Sequence, residues 1–235
     1  MSLPRIEKPL FELYVPSMKK SVKARPFVVR EEKILLTAQQ SGEEKDIVLA
    51  IKQVLNNCIV EEFDVDDLAT FDLEYMFLKL RARSVNNIID VSYRDNEDDE
   101  VYDFKIDLDQ VELKVKEDIS NIIMITENIG IKMKYPSVTI LDNIPDTEDA
   151  AGVVDYLIKS CIDQIFDQEN VYPVNDHTDA ELTEFLDSMD IEAFGKIREF
   201  FDNLPQMYHK LEYTNKNGNK RTIELTTLSD FFIWG

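Results

Sequence analysis

The sequence has few of the residues from which common catalytic sites are built. It contains two histidines, two cysteines and six glycines in 235 residues. So few glycines leave little room for a phosphate-binding loop, and no Gly-x-Ser-x-Gly motif is present. Neither His177 nor His209 has a cysteine or a second histidine at the spacing of a metal site. We therefore predict that the chain is not an enzyme and has no catalytic residue, metal or cofactor.

Long apolar runs are also missing. No stretch approaches the roughly 20 apolar residues that span a bilayer, and the start of the sequence lacks the continuous apolar core of a signal peptide. Cys58 and Cys161 each fall within a helical pattern, which is typical of small buried side chains in a reducing compartment. These features predict a protein that is made in the cytoplasm and does not bind a membrane.

Positive charge is scarce as well. The chain has 26 Lys+Arg against 47 Asp+Glu, a formal net charge of −21. Long-range repulsion therefore disfavours nucleic acid and anionic membranes as partners. The charge favours basic protein partners, or it only keeps the protein soluble.

The many carboxylates leave one enzymatic alternative open, a hydrolase that uses paired acids. Among 47 acidic residues, however, a pair of carboxylates carries little information. The acidic run that begins at Asp95 does not fit a calcium-binding EF-hand, because its sixth position is not glycine and its twelfth, Ile106, is not acidic. We interpret residues 95–100 as a solvated turn.

Local patterns predict an α+β protein in which helices pack with antiparallel β-hairpins. Helical spacing is seen in residues 30–39, 46–58, 69–80, 150–167, 180–189 and 191–204. Alternating patterns predict hairpins that pair residues 10–15 with 27–29, 88–93 with 101–108, and 121–126 with 130–135. Asn217-Gly218 predicts a last hairpin with a type I′ turn, within residues 210–225.

Two parts of the chain resemble each other. DIVLAIKQVLNNCI (residues 46–59) and AAGVVDYLIKSCI (residues 150–162) both end in Cys-Ile, and each is followed by an acidic stretch, a helical pattern and a predicted hairpin. We interpret this as an internal duplication of an α+β unit, with repeats at residues 1–128 and 129–235. The alternative is that two unrelated segments share ordinary patterning.

Aromatic and basic residues suggest where contacts could form. Phe231, Phe232 and Trp234 are predicted either to pack on their own domain or to contact a partner. The basic segments 19–25 and 216–221 could guide assembly by charge, or could be ordinary hairpin tips.

Four segments of the sequence are similar to one known family. They are MSLPRIEKPLFELYVPSMKKSVKARPFVVREEKILL at the start, IKQVLNNCI, DVDDLATFDLEYMFLKLRARSVNNIIDVSYRD, and GNKRTIELTTLSDFFIWG at the end. Together they resemble the baseplate hub proteins of T-even-like contractile-tailed bacteriophages. The resemblance extends over nearly the whole chain and includes no reaction motif.

The resemblance implies a role in assembly of the central hub of the tail baseplate. The family includes a structural hub subunit and a hub assembly catalyst that is not an enzyme in the covalent sense. The implied partners are other tail and baseplate hub proteins. The implied locations are the host cell cytoplasm during assembly and the virion baseplate.

Overall fold

A computed structural model describes residues 6–116, 120–147 and 149–231. The described residues form eight α-helices and eleven β-strands in small antiparallel sheets, which confirms the predicted α+β class. The helices are α1 (Val29–Ser41), α2 (Glu44–Cys58), α3 (Thr70–Ser84), α4 (Val138–Asp142), α5 (Ala150–Cys161), α6 (Asp179–Asp187), α7 (Ile191–Asp202) and α8 (Leu228–Phe231).

The strands pair in four separate sheets among the described residues. They are β1 (Phe11–Val15), β2 (Lys20–Ala24), β3 (Ile88–Arg94), β4 (Val101–Asp107), β5 (Glu112–Lys114), β6 (Ile122–Met124), β7 (Gly130–Met133), β8 (Ile162–Phe166), β9 (Val171–Pro173), β10 (Gln206–Thr214) and β11 (Lys220–Leu225). The sheets have the strand orders β1-β2, β3-β4, β11-β10-β5 and β6-β7-β8-β9.

The chain forms two compact units. The first unit combines Met1–Lys114 with Gln206–Gly235, and the second is Val115–Pro205. The chain returns to the first unit because β10 pairs with β5, with Met207 opposite Leu113. The predicted boundary lay between residues 128 and 129, whereas these units are divided at residues 114/115 and 205/206. The pairing of β10 with β5 joins segments that are far apart in the sequence, and no local sequence pattern indicates such a pairing.

Helix α3 lies at the centre of the first unit. Phe77, Leu78 and Leu80 are almost completely buried, and so are residues on other faces of the helix. A helix that is apolar on most sides must be surrounded by the protein. Its buried side chains therefore belong to the core of the first unit and not to an exposed surface.

The start of α1 is fixed by a buried carboxylate. Glu31 is fully buried, and it accepts hydrogen bonds from the Val28 N–H at 3.0 Å and from Arg25 at 3.0 Å. The first N–H groups of a helix have no partner within the helix, so Glu31 satisfies one that would otherwise be buried without a bond. Arg25 also donates to the carbonyl of Asn57, which ties α1 to the end of α2.

The β10–β11 hairpin forms where the Asn-Gly signal predicts it, but the predicted turn type is wrong. Gly218 has a φ of 86°, and Asn217 is not among the positive-φ residues. The Gly218 N–H donates to the carbonyl of Asn215 at 2.9 Å. This geometry belongs to a longer hairpin loop with glycine in the left-handed region.

The second unit packs helices α5, α6 and α7 on a four-stranded sheet. Its core contains apolar side chains from every layer, among them Ile131, Met133, Ile158, Ile197 and Phe200. The Thr178 hydroxyl accepts the Glu181 N–H and Glu181 accepts the Thr178 N–H, which is a complete capping box for α6. This unit therefore has a core of its own.

Two predicted elements are wrong. The helix predicted over residues 150–167 ends at Cys161, and the following residues form β8. The partner of β1 is β2, within a segment predicted as a turn, and not residues 27–29. Residues 162–166 fitted helix or strand equally well, and pairing with β7 and β9 makes them a strand. Residues 20–24, KSVKA, were predicted as a turn because of their basic side chains, and pairing with β1 makes them a strand.

The predicted duplication has local parallels in the structure. In each unit a hairpin precedes an X-Pro step and two helices, and the second of these helices ends at a cysteine. The Cys58 carbonyl accepts the Arg25 N–H at 2.9 Å, and the Cys161 carbonyl accepts the Lys134 N–H at 2.7 Å. The two hairpins predicted to correspond, β3–β4 and β10–β11, both lie in the first unit. The duplication stays a prediction.

Candidate interaction site

Two hairpin tips of the first unit bind each other. Asp95 and Glu97 lie in the turn between β3 and β4. Arg221, on β11, forms ion pairs with Asp95 at 3.2 Å and with Glu97 at 3.0 Å. The Tyr213 hydroxyl donates to Asp95 at 2.6 Å. Part of the negative charge of the acidic turn at residues 95–100 is therefore paired with a segment more than 100 positions later in the chain.

Further contacts close the same junction. The Lys216 N–H donates to Asp98 at 2.8 Å, and the Lys216 side chain pairs with Glu100. The Tyr102 and Tyr213 rings lie 4.7 Å apart between centroids. We name the paired tips, residues 95–102 with residues 213–221, the tip junction.

The electrostatics of the tip junction favour the charged carboxylates. The hydrogen bond from Tyr213 keeps the pKa of Asp95 below its ordinary value, although burial acts in the opposite direction. The hydrogen bond to Asp98 raises the pKa of Tyr102 to about 12. The acidic turn was predicted to be solvated and residues 216–221 to be an assembly guide or a soluble tip. In the structure most residues of 95–100 are exposed in a turn, and residues 216–220 are exposed at the tip of the β10–β11 hairpin, as predicted. The contacts between these two tips were not predicted.

We expect Arg221→Gln to lower the thermal unfolding midpoint of the protein, because it leaves the fully buried Asp95 without its cationic partner. The matched control is Arg94→Gln. Arg94 pairs in an exposed contact with Asp99 at 3.2 Å, and exposed pairs contribute little. Scanning calorimetry checks the prediction, and equal midpoints for the two variants would contradict it.

Neither cysteine has the character of a reactive nucleophile. Both carry free, buried thiols. Burial raises the pKa of Cys58 to about 11 and that of Cys161 to about 12. A thiol acts as a nucleophile or metal ligand in its deprotonated form, which is scarce at neutral pH with such values.

The two histidines lie in different units of the structure. His177 borders an apolar cleft of about 290 Å³ in the second unit, with Tyr172 and Glu181 nearby. Tyr172 donates to Asp167 at 2.8 Å, and Glu181 is engaged in the α6 cap. Burial lowers the pKa of His209, which lies on β10. Within the ranges that the structure describes, no group of three or more His, Cys, Asp or Glu could hold a metal ion.

The predicted aromatic contact site is only partly described. The Phe231 side chain is 1% exposed and packs inside the first unit. Phe232 and Trp234 lie outside the described residues. For Phe231 the geometry favours packing within its own chain over contact with a partner.

Exposed apolar residues of the second unit were not singled out from the sequence. Ile191 is 93% exposed, Val171 57% and Ile122 49%.

Residues 115–205 also carry 20 Asp+Glu against 6 Lys+Arg, so most of the net negative charge lies in this unit. The sequence alone does not show this uneven distribution of charge, because the bounds of the second unit depend on the pairing of β10 with β5. Among the described helices, none is long and apolar enough to cross a bilayer.

Comparison with known proteins gives one result that covers the chain. A family model described as T4 bacteriophage base plate protein matches residues 8–233. No curated protein matches the chain, and no solved structure does. The match includes both units of the structure.

Proposed function

Because this chain belongs to the T4 bacteriophage base plate protein family, we propose that it acts in assembly of the central hub of the phage tail baseplate. It does so by protein–protein contacts, as a structural subunit or as an assembly factor. Membership of a baseplate family supports a structural role over a catalytic one, and a place in the virion tail. The proposed partners are other baseplate hub proteins, and assembly takes place in the host cytoplasm.

The observation that carries the proposed mechanism is the charge of the second unit. The unit carries 20 acidic against 6 basic residues, and it also has exposed apolar side chains such as Ile191 and Val171. An acidic surface accelerates encounter with a basic partner and sets orientation, while apolar residues supply affinity when buried. We propose that the second unit meets a basic baseplate protein through this surface.

The experiment that tests the hub assignment is quantitative mass spectrometry of purified particles and of infected-cell lysate, for phage with and without the gene. A fixed copy number per particle indicates a subunit. Absence from particles, together with loss of baseplates when the gene is deleted, indicates an assembly factor. Normal baseplates without the gene would overturn the proposal.

A charge-reversal pair tests the acidic surface. We expect Glu184→Lys with Asp187→Lys, both exposed on α6, to reduce the yield of complete tails severalfold when the variant complements a gene deletion. The matched control is Glu61→Lys with Glu62→Lys, two exposed residues of the first unit. An equal yield from both double variants would contradict a specific role for the second unit.

A further inference from the structure

The cleft beside His177 in the second unit is lined mainly by apolar and aromatic side chains. Its volume is about 290 Å³, and α6, β8 and β9 contribute to its walls. The apolar and aromatic side chains that line it are Ile129, Ile165, Phe166, Tyr172, Leu182 and Phe185. The volume is near the lower limit of about 300 Å³ for sites that hold small ligands, so one large side chain fits.

The floor and walls of this cleft are fixed within the second unit. Ile165 and Leu182 are buried in the core of the unit. The Phe166 ring lies over Gly130, where an added Cβ would collide with the ring. The Tyr172 hydroxyl donates to Asp167 at 2.8 Å, which holds the Tyr172 ring at the edge of the cleft. An occupant therefore binds walls that are already ordered, which lowers the entropic cost of binding.

The segment that supplies most of the lining is strongly acidic. Residues 160–195 contain ten Asp+Glu, one histidine and no Lys or Arg. Lysines from outside this segment pair with Asp163, Asp179 and Glu192, and none of these three acids lines the cleft. The negative charge around the cleft is therefore only partly paired within the protein.

Two carboxylates lie at the cleft itself. The hydrogen bond from the Glu169 N–H lowers the pKa of Asp167, and the hydrogen bond from the Thr178 N–H lowers the pKa of Glu181. Both groups are therefore ionised at neutral pH. They place negative charge next to an apolar cavity.

This combination of an apolar cavity and an acidic rim selects the occupant. Nucleic acid and acidic protein segments are repelled by the rim. A basic protein segment is attracted and oriented by the rim, while an apolar side chain supplies affinity when it is buried in the cavity.

We propose that this cleft binds one large apolar side chain of a partner segment in which Lys or Arg residues flank that side chain. The inference rests on the proposed function, because it takes the partner to be a baseplate protein. It adds the place on the second unit where that partner binds and the chemistry of the segment that binds there.

Amide NMR spectra of the full chain, titrated with three capped peptides, test the proposal. The first peptide is Lys-Lys-Phe-Lys-Lys, the second has serine in place of phenylalanine, and the third has glutamate in place of every lysine. We expect the first peptide to shift the amide signals of the residues that line the cleft, and to bind severalfold more tightly than either of the others. Its affinity should fall as salt is raised, because salt screens the charges.

Tyr172→Ala removes one wall of the cleft and should weaken binding of the first peptide severalfold. The matched control is Ile122→Ala, because Ile122 is also partly exposed on a strand of the same sheet and does not line the cleft. If Tyr172→Ala does not unfold cooperatively, the comparison of the three peptides on the unchanged chain decides alone.

Three results would overturn the proposal. Equal affinity for the first two peptides would show that charge alone accounts for binding, and equal affinity for the first and third would show that charge has no part in it. The third is a shift of the cleft signals as the chain self-associates without peptide, because a second copy would then be the occupant.

The outcome is separable from that of the proposed function. No shift with any peptide, together with a loss of tails caused by Glu184→Lys with Asp187→Lys, would reject the cleft and leave the proposed function in place. Binding of the first peptide in the cleft, together with normal baseplates in the absence of the gene, would reject the proposed function and leave the cleft as a binding site for basic segments.

Discussion

Replacing Glu31 by glutamine is expected to lower the free energy of unfolding by roughly 3 kcal/mol at neutral pH. Glu31 is fully buried and bonded to Arg25 and Arg30, at 3.0 Å and 2.8 Å. Burial alone would raise its pKa, but the hydrogen bonds from Arg25, the Val28 N–H and Arg30 outweigh burial and lower the pKa to about 2. Glutamine keeps the shape of the side chain and removes the charge that these donors stabilise.

The effect of this substitution should depend on pH with a definite sign. The folded-state pKa, about 2, lies below the ordinary value of 4.5. The charged carboxylate therefore stabilises the folded state fully above pH 4.5, and this contribution is lost as pH falls from 4.5 towards 2. The difference in unfolding free energy between wild type and Glu31→Gln should be constant near neutral pH and shrink below pH 4.5.

Urea unfolding at a series of pH values measures both the size and the sign. Glu43→Gln is the matched control, because Glu43 is exposed and its side chain makes no cap hydrogen bond. The control should change stability little at any pH. A loss for Glu31→Gln that stays the same from pH 7 to pH 3 would show that the ion pair is not its source.

The sequence predicted the local elements of this fold better than their long-range partners. The β3–β4 hairpin and helices α6 and α7 form close to the predicted positions, because periodicity and capping residues are local signals. The tip junction joins Asp95 to Tyr213 across 118 positions, and two oppositely charged turns each look solvated when read alone. The sequence could suggest their charges but not that the two turns form ion pairs with each other.

The candidate contact sites show the same limit. The aromatic residues near Phe231 attract attention by composition, whereas the exposure of Ile191 follows from its place as the first residue of α7. Ile191 begins the helical pattern of residues 191–204, and an isoleucine in an amphipathic pattern is expected to be buried. Only the packing of α7 in the second unit shows that this side chain points to solvent.

Phe231→Ala is expected to lower the free energy of unfolding by about 3 kcal/mol, the lower end of the range for buried phenylalanine. Phe231 is 1% exposed, and the carboxylate of Asp230 fixes its short helix by accepting the Thr226 and Thr227 N–H groups, both at 2.8 Å. Phe63→Ala is the control, because Phe63 is only partly buried and should cost less. Urea unfolding of the isolated protein measures the difference. If the Phe231 side chain instead packed against a partner protein, the isolated variant would keep its stability and lose only tail assembly. The cavity left by the missing ring would then lie in the complex and not in the free chain.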